Sequence, residues 1–143
     1  LGIDPGSHKI GIAVIDNQKT LVYKSIVKIN NFIDIIQGII EEYEIEDIAL
    51  GNGNNFKKLI SYINLIKIYR INQRKKLNIY IIDEKNSTIE ARKIFLQQEK
   101  SFVKKIINYI YSLFLPLDDY SAFVIACRLF SKYNITDTEK QNL

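Results

Sequence analysis

The feature that most limits what this chain can fold into is the order of its segments: three short apolar runs come first, and helical and strand-like segments alternate after them. Leu1 to Asp4, Lys9 to Ile15 and Leu21 to Ile29 read as strands, with Pro5-Gly6-Ser7-His8 and Asp16-Asn17-Gln18-Lys19 supplying turn chemistry between them. Phe32, Ile35, Ile36, Ile39, Ile40 and Tyr43 then recur at helical spacing with Asp34, Glu41, Glu42 and Glu44 between them, an amphipathic helix. A short strand from Asp47 to Leu50 stops at Gly51-Asn52-Gly53-Asn54-Asn55, and a second helix is predicted from about Phe56 to Ile71. A strand from Ile79 to Asp83 follows, and Ser87-Thr88-Ile89-Glu90 has capping-box spacing, so a helix should run from there to about Gln98. Pro116 divides the last helical stretch into 103–114 and 118–130. A meander followed by alternation predicts an α/β fold. Its mixed sheet is antiparallel at first and parallel later, with helices flanking it.

The length of 143 residues suits a single domain, which we assign to 1–133, with a polar tail at 134–143 that frays. At 47% hydrophobic and 25% charged residues, a packed globular domain is expected and disorder is excluded. A net charge of +4 permits nucleic acid as a partner without demanding it. The single Cys127 falls at helical spacing from Phe123 and Phe130, which reads as core, and one cysteine makes no internal disulfide. No apolar run has the length of a membrane span, so no membrane partner is expected and the default location is the cytoplasm. The chain opens at Leu1 inside an apparent strand and contains no Met, which leads us to expect preceding residues.

In such a sheet, functional groups gather where strands end and helices begin. Asp4 closes the first strand, Asp83-Glu84 closes the Ile79 strand, and Asp118-Asp119 opens the last helix. Converging carboxylates raise one another's pKa, and such an arrangement usually serves to hold a cation. Hard oxygen ligands suit Mg2+ or Mn2+. Singly, each acid also has a plainer role, since Asp83-Glu84 can end a strand and Asp118 or Asp119 can cap a helix. Asp4 is harder to dismiss, because the flanking glycines of Leu1-Gly2-Ile3-Asp4-Pro5-Gly6 let backbone or ligand approach closely.

The run Ile3-Asp4-Pro5-Gly6-Ser7-His8-Lys9-Ile10-Gly11-Ile12-Ala13 resembles the opening motif of the RuvC-like and YqgF-like (RuvX-like) resolvases, in which the Asp is a metal ligand. Asp83-Glu84-Lys85-Asn86-Ser87-Thr88-Ile89-Glu90-Ala91 is similar to the second YqgF motif, whose acid falls on Glu84, and Asp119-Tyr120-Ser121-Ala122 resembles the third. The chain departs from that pattern at Lys9 and Lys85, where Arg is usual, and at Phe123, which replaces an Ala. Because Asp118 and Asp119 are adjacent, the third ligand is open by one residue; the Ala122 spacing favours Asp119. The Gly51-Asn52-Gly53 loop, where RuvC-type chains carry an acid, leans toward the YqgF branch.

The resemblance implies an RNase H-like fold and a metal-dependent endonuclease that hydrolyses phosphodiester bonds of structured nucleic acid, either a ribosomal RNA precursor or a Holliday junction. It implies Asp4, Glu84 and Asp119 as catalytic, the same three with Asp118 as metal ligands, and structured RNA or branched DNA as partner, a homodimer being left open. For nucleic-acid contacts we single out His8 and Lys9 beside Asp4, Asn52 in the glycine loop, and Lys67, Arg70 and Arg74 on or after the second helix. The plainer readings are a solvated histidine, an ordinary turn and a solvated helix face. A non-catalytic nucleic-acid-binding module of the same fold is the alternative function. A sugar-kinase-like phosphate domain would need a second nucleotide-binding lobe, for which this chain has too little length.

Overall fold

The computed structural model of the chain describes residues 1–97, Lys104, Asn108 and residues 112–133. Five strands, β1 (Gly2–Pro5), β2 (Lys9–Ile15), β3 (Leu21–Lys28), β4 (Asp47–Gly51) and β5 (Asn78–Ile82), form one sheet in the order β3-β2-β1-β4-β5. β1, β2 and β3 pair antiparallel, whereas β4 pairs parallel to β1 and β5 parallel to β4. This is the expected meander plus parallel extension. Among the described residues the sheet is accompanied by the helices α1 (Phe32–Glu42), α2 (Phe56–Asn72), α3 (Ser87–Gln97) and α4 (Asp118–Tyr133). A 3-10 turn at Ile29–Asn31 leads into α1. The expected helix at 103–114 falls largely outside the described residues, and the tail at 134–143 falls wholly outside them. Among the described residues, no helix is long and apolar enough to cross a membrane.

Alternation along each strand divides the side chains between two layers. Ile3, Ile10, Ile12, Ile48 and Leu50 point to the side of α1 and α2 and pack with Phe32, Ile36, Ile40, Leu59 and Ile63 in the larger core. The opposite face of β1 and β2 is built from small residues, and α4 lies across it. A Cβ on Gly2 would collide with the backbone at Ala122 and Ala126, and one on Gly11 with the carbonyl of Asp118. The absent side chains therefore let α4 press directly onto the sheet. Ile125 and Leu129 of α4 meet Ala49 and Ile82 there, while Tyr120 and Val124 turn to Ala91 of α3.

Two local expectations change. Ser87 already sits inside α3, after Asn86 in a left-handed conformation, and the Glu90 carboxylate pairs with Arg128, so the capping box does not form. Cys127 is half-buried rather than fully in the core, and burial pushes its thiol pKa up.

Candidate active site

Asp4 leaves β1 on the face that α4 covers, and its cross-strand partner is Gly11. Since the start of α4 rests on Gly11, the geometry that admits the helix also delivers its first turn to Asp4. Asp118 acts on Asp4 as a neighbouring negative charge, and the buried hydroxyl of Ser121, one turn later on the same helical face, donates to the Asp4 carboxylate. Glu84 reaches Asp4 from the β5–α3 connection and shares a hydrogen bond with it.

The electrostatics follow. Burial, and then the charges of Glu84 and Asp118, push the Asp4 carboxyl up to about 7. Below about pH 7 Asp4 therefore carries a proton, which it donates to Glu84. Burial also raises Glu84, partly offset by that hydrogen bond and by one from the Gly53 N–H. Burial raises Asp118, against the pull of Lys9. One Glu84 oxygen, Oε2, is buried and accepts no hydrogen bond among the described residues. Among those residues no three His, Cys, Asp or Glu side chains already surround a common point as metal ligands would; the acids meet through a shared proton and through charge.

Two connections interlock to hold Glu84. Its carboxylate lies over the β4–α2 loop, where a Cβ on Gly51 would come within 2.8 Å of Oε2 and one on Gly53 would overlap the carboxylate. Asn52 accepts a hydrogen bond from the Glu84 N–H at 3.2 Å. Asn52 therefore braces an acid, which sequence reasoning had not foreseen. From the other side Arg128 of α4 donates to the carbonyls of Asp83 and, at 3.0 Å, Lys85, and pairs with Glu90 at 2.6 Å. These contacts span 38 to 45 positions in the chain, so no local pattern announces Arg128.

The other expected site residues separate into three groups. Asp119, favoured as third acid, faces away: it forms a short ion pair with Lys24 of β3 and accepts the N–H of Tyr120. Asp118 is the one whose charge acts on Asp4, because it shares a helix face with Ser121 whereas Asp119 is rotated by about 100° toward β3. Lys9 stands beside Asp118, and His8 is exposed in the β1–β2 turn, where its carbonyl accepts from Ile29. Arg70 is 5% exposed and donates to Glu41 at 2.9 Å, so it is a structural residue and not a phosphate contact. α2 begins at the glycine loop and runs away from it at about 1.5 Å per residue, which puts Arg70 about 20 Å along the helix from its start, half-buried Lys67 one turn nearer, and Arg74 beyond the helix end.

Comparison with known proteins gives the following likenesses. Residues 1–125 match the family described as "RuvX: Holliday junction resolvase". A curated protein of Halothermothrix orenii, named "Putative pre-16S rRNA nuclease", is 25% identical over 122 residues, covering 73% of this chain and 80% of that one. A structure of Thermus thermophilus RuvC in complex with a Holliday junction substrate superposes with a TM-score of 0.53 at 13% identity, covering 92% of both chains. That likeness shows the fold, an RNase H-like α/β architecture, as the motifs implied.

Proposed function

The chain belongs to the RuvX family of Holliday junction resolvases, and from that membership we propose that it is a metal-dependent endonuclease hydrolysing phosphodiester bonds of structured nucleic acid, with Asp4, Glu84 and Asp118 as its acids. The observation that carries the reading is the cluster itself: Asp4 hydrogen-bonded to Glu84, Asp118 acting on Asp4 as a second negative charge, burial pushing all three carboxyls up, and a buried Glu84 oxygen with no hydrogen-bond partner among the described residues. A site of this kind is costly to an empty protein and fits a hard divalent cation, whose charge would replace the proton and give Glu84 Oε2 a partner. Asp4, Glu84 and Asp118 would hold Mg2+ or Mn2+, which when bound supplies charge for the phosphate oxygens and makes a water a stronger nucleophile.

The chain's own residues prepare the site. Ser121 fixes the Asp4 carboxylate, Gly53 and Asn52 fix Glu84, and Arg128 clamps the segment on both sides of Glu84. Gly51 and Gly53 leave the carboxylate room that any side chain would fill. Of the two substrates that the names of similar proteins suggest, an RNA precursor rests on a sequence relative and a Holliday junction on the family description.

The test is cleavage of a ribosomal precursor RNA, a single-stranded RNA and a four-way DNA junction, each with Mn2+, with Mg2+ and with chelator. Cut products that appear with metal and vanish with chelator are expected. Binding without cleavage under every condition would replace the enzyme with a non-catalytic binding module.

A further inference from the structure

The face of the sheet crossed by α4 carries three lysines that the acid cluster does not use up. Lys9 is two positions from Gly11, where Asp118 rests, so Lys9 lies on that face. Lys28 is its direct cross-strand partner, and Lys24, four positions earlier on β3, is held on the same face by Asp119. Lys9 and Lys28 are both exposed. Among the described residues neither has a carboxylate at ion-pair distance. Directly opposed like charges on antiparallel strands destabilise the pair. Edge strands do carry lysines to block unwanted strand pairing, and β3 is an edge, but Lys9 belongs to an inner strand and blocks nothing. A polyanion would turn this repulsion into binding, and Lys9 sits next to Asp118, beside the acids.

We propose that Lys9 and Lys28 form a phosphate subsite that holds the nucleic-acid backbone across β2 and β3, next to the Asp4-Glu84-Asp118 cluster. The proposal rests on the nuclease reading and adds to it the direction in which the strand leaves the site, over the meander and away from α2. Lys24 is excluded from the pair because its ammonium is engaged by Asp119 and lies 4.1 Å from the centre of the Tyr120 ring.

The experiment measures equilibrium binding of a four-way DNA junction and of a structured RNA to the full chain, in chelator, over a salt series. The proteins are the wild type, Lys28→Gln, Lys28→Glu and Lys28→Arg. Each phosphate contact contributes about 0.9 to the slope of log affinity against log salt on duplex nucleic acid. Lys28→Gln should flatten that slope by about this amount, Lys28→Arg should keep it, and Lys28→Glu should flatten it at least as much while raising Tm, because Lys9 then faces an opposite charge. With Mn2+, kcat at saturating substrate should stay within about twofold of the wild type while KM rises. Weaker binding joined to higher thermal stability is a combination that a merely structural lysine cannot give. Slopes unchanged in both Lys28→Gln and Lys28→Glu, with a wild type that binds and cleaves, would overturn the subsite alone. A wild type that binds neither nucleic acid would overturn the nuclease reading and the subsite with it.

Discussion

The two ends of this sheet carry ionic clusters built on opposite principles. At one end Asp4 is hydrogen-bonded to Glu84 and feels the charge of Asp118, and one buried Glu84 oxygen has no hydrogen-bond partner among the described residues. At the other, Glu41 is matched by Arg70 and by Lys75, at 2.9 and 2.8 Å, and Arg70 also reaches the carbonyl of Ile45 at 3.4 Å. Lys75 and Arg70 draw the Glu41 carboxyl below its ordinary value, whereas Asp4, Glu84 and Asp118 at the first end are drawn above theirs. Charge that is neutralised locally serves the fold. Like charge that is concentrated, with Lys9 offsetting it at Asp118, costs stability in the folded chain, and under the proposed function a bound cation would offset it.

The strongest way to break the comparison lies within two adjacent residues. Asp118→Asn should lower the metal-supported cleavage rate by more than about 100-fold, since losing even an outer partner of a metal typically costs about 10–100-fold. Asp119→Asn should cost less than about 10-fold, because Asp119 is neutralised by Lys24. Single-turnover rates of both variants decide it, and equal losses would erase the distinction drawn between the two acids.

A smaller effect is expected on stability. In the folded chain Asp4 titrates near 7 instead of 3.8. Below about pH 4 both folded and unfolded forms carry the proton and Asp4 costs nothing; as pH rises the unfolded form ionises first, and stability falls until the folded form ionises near 7. Asp4→Asn keeps the donor toward Glu84 and removes that penalty. In chelator at pH 8 the variant should be more stable by on the order of 1–3 kcal/mol, with the gap closing as pH falls toward 4. Denaturant melts across that range are the measurement, and a variant less stable than wild type at pH 8 would mean that the acid end is not strained.

The smallest effects belong to the paired end. Arg70→Ala should lower stability by on the order of 1–2 kcal/mol through lost packing and hydrogen bonds, yet leave cleavage and the salt dependence of binding as they were. Lys75→Ala, at an exposed pair, should barely move Tm. A reduced salt slope for Arg70→Ala would return that end of the molecule to the binding surface.

What the sequence determined by itself is whatever local periodicity and turn chemistry encode. The three-stranded opening, the alternation after it and the placement of Asp4 and Glu84 at strand ends all follow from patterns that repeat every two or 3.6 residues. Gly2 was visible as a permissive position beside Asp4, and the structure shows what Gly2, Gly11, Gly51 and Gly53 admit: a helix at the first two, a carboxylate at the others. Only the tertiary structure separates the surroundings of Asp118 and Asp119, because neighbouring helical residues point about 100° apart: the charge of Asp118 acts on Asp4, while Asp119 pairs with Lys24. Arg70 and Arg128 were illegible for a further reason. A lone cation looks the same in sequence whether it is solvated, matched to Glu41 at a separation of 29 positions, or clamping the Glu84 segment 43 positions away. Charge acts through space, and only folding brings such distant partners within reach.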